Sequence, residues 1–390
     1  MPRFVQDRPQ TNRRLLHLTW DSPDNPWCGG GGAFRDYQIL SMLDRWEREV
    51  CSGKHPKRTA APTGTLRIVK GIGLFGEFVS RRTWARAASR YLEERLRADP
   101  TLVVSQSASA WAPVWKSLEH PRRILHTVHH VAGASILERL GPWGPSSLRY
   151  EQRILAEGEF YATPNRATAA RILAANPDAR VEIIPNGHTP PTKPVAPENR
   201  FPGSVRIAFL GRLDHQMKGL DRLLAAFSLV GERLPEARLL LAGRSDICCQ
   251  AWLSRALHHH PLRDRIEVVH NPSEERKYAL LDGSDIFCVP SRFEGWCIAA
   301  IEAQSRGLPV VATRTDGLLD SVVDGRTGIL VSNEESQAVG ELAEGILALA
   351  QDADKRRELG AAAATWACRF SWDAATAATE SLLEEIRTGL

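Results

Sequence analysis

The 390-residue sequence has no apolar run long enough to cross a membrane and no CxxC pair of cysteines. A membrane-spanning helix needs about 20 predominantly apolar residues, so none is predicted. The opening residues, MPRFVQDRPQTNRR, also lack the apolar core of a signal peptide. We therefore expect a cytoplasmic protein.

Metal-binding patterns are also missing. The seven cysteines are scattered, and the adjacent pair Cys248 and Cys249 does not have the spacing of a zinc site. The triplet His258, His259 and His260 stands in a polar, helix-like context and is expected at a solvated helix end. The sequence thus predicts reduced thiols, no metal and no other cofactor.

The chain is long enough for two hydrophobic cores, because it exceeds the usual size of one domain. Short aliphatic or β-branched runs alternate with longer helical patterns in two series, from RLLHLTW to RVEIIPN and from VRIAFLG to GILV. This alternation predicts two doubly wound, Rossmann-like α/β domains with parallel sheets. Such sheets bind ligands beyond the carboxyl ends of their strands, so we expect the domains to face a central cleft.

A proline-rich segment, NGHTPPTKPVAPENRFPG, separates the two series and cannot continue either sheet. We therefore expect an N-terminal domain at residues 1–185, a linker at 186–203 and a C-terminal domain at 204–370. The final residues, 371–390, are expected to form a helix that returns to the N-terminal domain.

A glycine run follows the first predicted strand, in DSPDNPWCGGGGAF. Gly30, Gly31 and Gly32 let backbone amides approach a phosphate or sugar, and the N-terminus of the following helix favours an anion. The run is not a GxGxxG with an acidic residue at ribose distance, so a nicotinamide or flavin site is not favoured. A merely flexible loop is the alternative.

Two cations follow the strand VRIAFLG, in GRLDHQMKG. The guanidinium of Arg212 and the ammonium of Lys218 could together neutralise a diphosphate. Two solvated loop cations are the alternative.

Two carboxylates, Glu294 and Glu302, follow the predicted strand IFCVPS. Gly295 permits a close backbone approach before a helix that is expected to run to about Ser305. At 100° per residue the two acids lie about 80° apart around that helix, so both could reach one ligand. They could also be a glycosidase acid and base, or a capping glutamate and a surface glutamate.

The amides at the start of this helix are further candidate contacts, because a helix N-terminus favours a phosphate. They belong to Trp296, Cys297 and Ile298.

Together GRLDHQMKG, PSRFEGWCIAAIEAQSRGLPVVAT, DGRTGILV, IIPNG and FSWDAA resemble the retaining glycosyltransferases of the GT-B fold, family GT4, over nearly all of residues 183–375. The resemblance implies that the second domain binds a nucleotide-sugar donor and the first an acceptor, without an obligatory metal. By motif position, Arg212 and Lys218 would contact the diphosphate, Glu294 the sugar hydroxyls and Glu302 the ribose.

The segment ILHTVHH resembles the histidine strand of the family's first domain. His129 is the best match for the residue near the donor sugar and its leaving phosphate. His126 and His130 are alternatives, and so is a histidine that belongs simply to the core. The catalytic candidates are thus His129, Glu294, Arg212 and Lys218.

Three departures from the family pattern leave the sugar open. They are Gly295-Trp296-Cys297 for Gly-Phe-Gly, Asp316-Gly317 for a pair of glycines, and Asn186-Gly187-His188-Thr189 for Asn-Gly-Val-Asp.

We expect an enzyme that transfers a hexose-type sugar from an NDP-sugar with retention of configuration, UDP being favoured over GDP and dTDP. A GT-B UDP-sugar epimerase and a non-catalytic nucleotide-sugar-binding protein are the alternatives. The sequence identifies neither the acceptor nor the oligomeric state, and it indicates no nucleic-acid partner. The Arg-rich segment Ser80–Arg97 suggests peripheral contact with the inner face of a membrane, although its apolar side could equally be core.

Overall fold

The computed structural model describes residues 13–21, 30–53, 65–69, 77–189, 203–245 and 247–389. Packing divides the chain into two compact units, one formed by Met1–Pro185 with Trp372–Leu390 and the other by Asn186–Ser371. Most of the predicted linker, residues 190–202, lies outside the described residues, as do residues 22–29 before Gly30.

The first unit contains a seven-stranded sheet of order β3-β2-β1-β4-β5-β6-β7, and every neighbouring pair of strands is parallel. Its strands are β1 (Arg14–Thr19), β2 (Glu47–Gly53), β3 (Thr65–Val69), β4 (Val103–Ser107), β5 (Ile124–Thr127), β6 (Phe160–Thr163) and β7 (Arg180–Ile183). Its helices are α1 (Gly31–Met42), α2 (Glu77–Ala98), α3 (Ser135–Leu140), α4 (Gly144–Glu157), α5 (Arg166–Ala175) and the C-terminal α14 (Trp372–Thr388).

The second unit contains a six-stranded parallel sheet of order β10-β9-β8-β11-β12-β13. Its strands are β8 (Arg206–Leu210), β9 (Arg238–Gly243), β10 (Ile266–His270), β11 (Ile286–Val289), β12 (Val310–Thr313) and β13 (Gly328–Val331). Its helices are α6 (His215–Lys218), α7 (Leu220–Arg233), α8 (Ile247–His258), α9 (Glu274–Asp282), α10 (Ile298–Ser305), α11 (Leu318–Ser321), α12 (Glu335–Ala350) and α13 (Ala353–Ala367).

Both sheets reverse their strand order once, between β1 and β4 in the first unit and between β8 and β11 in the second. The prediction of two doubly wound, Rossmann-like α/β sheets is therefore confirmed. In sheets of this type ligands bind beyond the carboxyl ends of the strands at the reversal point. The loops after these four strands are thus where a site is expected in each unit.

Strand β11 is buried on both faces. Ile286 and Cys288 belong to one apolar cluster of the second unit, and Phe287 and Val289 belong to another. Side chains alternate between the faces of a strand, so these four apolar residues pack against one cluster on each face of the sheet. Its polar residues are consequently confined to the loop that follows.

Helix α2 contains the Arg-rich segment Ser80–Arg97. Its apolar face packs in the core of the first unit through residues such as Trp84 and Leu92, and Arg95 lies 2.9 Å from Glu49. The apolar face is therefore core, the alternative considered above, and membrane contact stays a prediction. Within the described ranges no helix has both the length and the apolar character needed to cross a membrane.

Gly219 joins α6 to α7 with a left-handed backbone, φ +67°. A Cβ atom at this position would overlap the carbonyl oxygen of Pro290, in the loop after β11. The missing side chain therefore allows the chain segment after β8 to pack directly on the segment after β11.

We predict that Gly219→Ala destabilises the second unit by more than about 2 kcal/mol, because a left-handed alanine and a backbone overlap are both costly. Gly340→Ala is the control: a Cβ there would have no neighbour within 4 Å. Since Gly340 lies inside α12, its replacement should stabilise by about 0.5–1 kcal/mol. Urea unfolding followed by circular dichroism measures both changes, and equal stability of Gly219→Ala and the wild type would contradict the prediction.

Candidate functional site

The loops after β8 and β11 bring two predicted site residues together in the second unit. Lys218 is the last residue of α6, whose first turn is capped by Asp214 through hydrogen bonds from the amides of Gln216 (2.8 Å) and Met217 (3.1 Å). Glu294 lies in the loop after β11. Because β8 and β11 are neighbours, their loops share one edge of the sheet.

Lys218 and Glu294 form a closed ion pair. The Nζ atom of Lys218 donates to Oε2 of Glu294 at 2.6 Å, and the side chains are only 23% and 9% exposed. The hydroxyl of Ser291 donates to the same oxygen at 3.3 Å. Burial is the largest single influence on the pKa of Lys218 and lowers it. The charge and the hydrogen bond of Glu294, together with Cys297, outweigh burial and hold the pKa of the lysine above its ordinary value.

Arg212 lies in the loop after β8 and is the most exposed of the predicted donor cations, with 44% of its side chain accessible. Its Nε atom lies 3.7 Å from Asp214. It is close enough for its charge to act on Lys218, where it lowers the pKa of the lysine against the stronger effect of Glu294. Two cations thus stand at this edge, one paired and one accessible.

Arg292 holds this arrangement in place, although the sequence analysis did not identify it. Its guanidinium makes a two-pronged contact with Asp221 (2.9 and 2.8 Å) and a further ion pair with Glu335 (2.5 Å). It also donates to the carbonyl of His215 at 2.9 Å, and its own amide donates to the carbonyl of Met217 at 3.0 Å. Helix α6, with Lys218, is thereby fixed to the loop that carries Glu294.

Glu302 lies inside α10, as predicted, and is only 6% exposed. The Nζ atom of Lys277, on α9, donates to its Oε1 atom at 2.6 Å and to Glu274 at 2.6 Å. Burial raises the pKa of Glu302, and the charge of Lys277 opposes that shift. The surface-glutamate alternative is therefore wrong for Glu302. Lys277 was missed because nothing in the sequence relates it to a residue 25 positions away.

The segment from Gly295 to Ile298 leads directly into α10, which begins at Ile298 with Cys297 as its cap. The indole of Trp296 is buried against Phe370, with ring centroids 5.1 Å apart. On the other side, the amide of Gly317 donates to the carbonyl of Glu294 at 2.8 Å. A Cβ on Gly317 would lie 2.5 Å from the Trp296 nitrogen, so only glycine allows this approach.

In the first unit, the structure brings the glycine run and a predicted histidine together. Gly30 precedes α1, Gly30 and Gly31 are exposed, and Gly32 packs on the ring of His129. A Cβ on Gly32 would lie 2.8 Å from Cδ2 of His129. The glycine at this position therefore makes room for the imidazole.

Behind His129 lies a buried carboxylate that the sequence analysis did not single out. Asp36 of α1 is 3.8 Å from Nε2 of His129 and 3.5 Å from Nε2 of His17, whose Nδ1 lies 2.8 Å from the hydroxyl of Ser105. Burial acts to raise the pKa of Asp36, but the contact with His17 and the neighbouring positive groups outweigh it and hold the pKa below its usual value.

The three histidines of ILHTVHH differ in environment. His126, on β5, is completely buried beside the ring of Tyr161, His129 is 19% exposed, and His130 is exposed. The core alternative thus applies to His126, whereas His129 follows the end of its strand. Burial lowers the pKa of both His126 and His129 to about 4.

These shifts predict a loss of stability in acid. An unfolded histidine binds a proton near pH 6.5, whereas His126 in the folded protein does so only near pH 4. The contribution of His126 to the free energy of unfolding is therefore complete above pH 6.5 and is lost as the pH falls toward 4. The contribution is about 3 kcal/mol. We expect His126→Phe to reduce the dependence on pH, and His130→Phe, at an exposed position, to leave it unchanged. Calorimetric unfolding at pH 7 and pH 5 tests this, and equal slopes for the two variants would contradict it.

Two family descriptions match the chain. "Glycosyl transferases group 1" matches residues 195–366, and "Glycosyltransferase Family 4" matches residues 39–190. The first range lies in the unit that contains Lys218 and Glu294. The second range, apart from residues 186–190, lies in the unit that contains His129.

Curated relatives of the chain are also named as glycosyltransferases. The D-inositol 3-phosphate glycosyltransferase of Corynebacterium diphtheriae is 30% identical over 66% of this chain and 64% of its own length. The protein of the same name from Kribbella flavida is 28% identical over 94% of each chain. This chain thus matches slightly less than two thirds of the Corynebacterium protein.

Solved structures share the fold. Sucrose-phosphate synthase from Thermosynechococcus elongatus superposes with a TM-score of 0.78 at 19% identity and covers 97% of this chain and 100% of its own. Anabaena HepE in complex with UDP-glucose gives a TM-score of 0.70 at 17% identity, over 97% and 100% of the two chains.

Proposed function

This chain belongs to the GT4-type glycosyltransferases of the GT-B fold, and from that premise we propose that it transfers a hexose-type sugar from a nucleotide diphosphate sugar to an acceptor. The observation that carries the proposal is the placement of Lys218 beside Glu294 at the carboxyl edge of the second sheet, with Arg212 nearby. Cations suit a diphosphate, and a carboxylate suits sugar hydroxyls.

UDP is the favoured nucleotide. Structures of HepE hold UDP, UDP-glucose, or UDP with glucose, which supports a UDP-sugar as the first donor to test. In our proposal Arg212 and Lys218 stabilise the charge that develops on the leaving diphosphate. These cations and the amides at the start of α10 would take the place of a metal ion.

The remaining candidates take the roles that their motif positions imply. Glu294 would hold the hydroxyls of the donor sugar, and Glu302 would hold the ribose. His129, with the neighbouring glycines Gly30–Gly32, is the candidate for donor contact in the first unit. The reaction would retain the anomeric configuration, with the departing phosphate helping to deprotonate the acceptor on the same face of the sugar.

The names of the relatives suggest which acceptor to test. D-inositol 3-phosphate is the compound in the names of glycosyltransferases 28–31% identical to this chain. We propose a hydroxyl-rich acceptor that carries a phosphate, with D-inositol 3-phosphate as its first representative.

The direct test incubates the protein with UDP-hexoses and EDTA, with and without D-inositol 3-phosphate, and measures released UDP. We expect release without added metal, faster with an acceptor, and a fresh product with the anomeric configuration of the donor by NMR. Binding without release would indicate a nucleotide-sugar-binding protein, and a rearranged free UDP-sugar would indicate an epimerase. Restoration of activity by Mn²⁺ alone would contradict metal independence.

For the ribose role, we predict that Glu302→Gln weakens UDP and UDP-glucose by a similar factor, roughly 10- to 100-fold, since a charged hydrogen bond contributes about 1.5–3 kcal/mol. Glu274→Gln is a matched control, because Glu274 bonds the same lysine but is 73% exposed. It should change the affinity less than about twofold. Calorimetry measures both, and unchanged UDP affinity in Glu302→Gln would remove Glu302 from the ribose site.

A further inference from the structure

We propose that Glu294 competes with the donor diphosphate for Lys218, so that bare UDP binds more weakly than the cations of the site would otherwise allow. The inference rests on the proposed function, because it takes Lys218 as a ligand of the diphosphate and Glu294 as a ligand of the sugar. It adds a coupling between these two contacts, through the ion pair that joins them.

The geometry of the pair makes the competition direct. Lys218 Nζ donates to Glu294 Oε2 at 2.6 Å, and both side chains are mostly buried. A charged hydrogen bond with little access to water is stronger than an exposed one. An ammonium has three N–H donors, so a phosphate oxygen can bond Lys218 beside Glu294, much as Lys277 bonds two carboxylates. The phosphate then meets a positive charge whose attraction is already largely satisfied by the carboxylate.

Neither partner can relieve the competition by a shift of its backbone. Helix α6 is capped by Asp214 and held by Arg292 through the carbonyls of His215 and Met217. The Glu294 carbonyl accepts from the amide of Gly317 at 2.8 Å. The exchange is thus confined to the two side chains. Arg212, which is 44% exposed, can meet a diphosphate without breaking a comparable pair.

The exchange moves hydrogen bonds and no proton. The ammonium of Lys218 turns toward a phosphate oxygen, and its contact with Oε2 of Glu294 weakens. With a complete nucleotide-sugar, sugar hydroxyls can donate to that oxygen. With UDP alone, the mostly buried carboxylate must share its counter-charge with the diphosphate, which is costly. Glu294 therefore favours the full donor over bare UDP and helps to displace UDP after transfer.

The test is the affinity of UDP for Glu294→Gln. The neutral amide should hold Lys218 less strongly, and we expect UDP to bind about tenfold more tightly than to the wild type, the factor that corresponds to about 1.4 kcal/mol. The ratio of UDP-glucose to UDP affinity should fall, because the sugar loses its carboxylate. Asp282→Asn is the matched control: it removes a carboxylate of the same unit that pairs with Arg306 at 2.5 Å. It should leave UDP affinity within about twofold.

A double-mutant cycle locates the effect, since coupled residues depart from additivity. In a Lys218→Gln background, Glu294→Gln should no longer raise UDP affinity. An equal gain in that background, or unchanged or weaker UDP binding in Glu294→Gln alone, would overturn the competition while leaving the proposed function intact. If neither UDP nor inorganic diphosphate binds the wild-type protein, both the competition and the proposed donor site are wrong.

Discussion

Burial of both faces of the second sheet is the constraint from which its candidate site follows. A strand such as β11 contributes Ile286 and Cys288 to one apolar cluster and Phe287 and Val289 to the other. Polar groups have no place on such a strand without a large desolvation cost. They are found where the strand ends, so that the chemistry of the unit is concentrated in the loops after neighbouring strands.

These loops would be poorly defined without a second set of contacts behind them. Gly219 allows the chain after β8 to touch the chain after β11, and Gly317 allows the chain after β12 to touch the peptide after Glu294. Arg292 then links the first two segments through Asp221 and Glu335. Close backbone packing and the contacts of Arg292 thus position Lys218 beside Glu294. Functional sites typically depend on such surrounding groups to fix their ligands.

The sequence predicted what depends on local pattern and motif. The two parallel α/β sheets and the end of α10 near Ser305 follow from runs of apolar residues and glycines. Contacts between distant residues were beyond such reasoning. Lys277 reaches Glu302 from another helix, and Arg292 joins residues more than 40 positions away. Asp36, on α1, meets His17 of β1 and His129 after β5. Side-chain partners of this kind are determined by tertiary packing and have no local signature.

The same type of ion pair has two different consequences in the second unit. Lys277 is shared by Glu302 and the exposed Glu274, and it neutralises a carboxylate that would otherwise be costly to bury. In the proposed function this pair can persist when a ribose arrives, because only Glu302 is a ligand. Lys218 and Glu294 are both proposed ligands, so the diphosphate and the carboxylate must share one ammonium. The free energy lost when the ion pair weakens is subtracted from the affinity for any nucleotide, and only a ligand with hydroxyls for the carboxylate regains part of it.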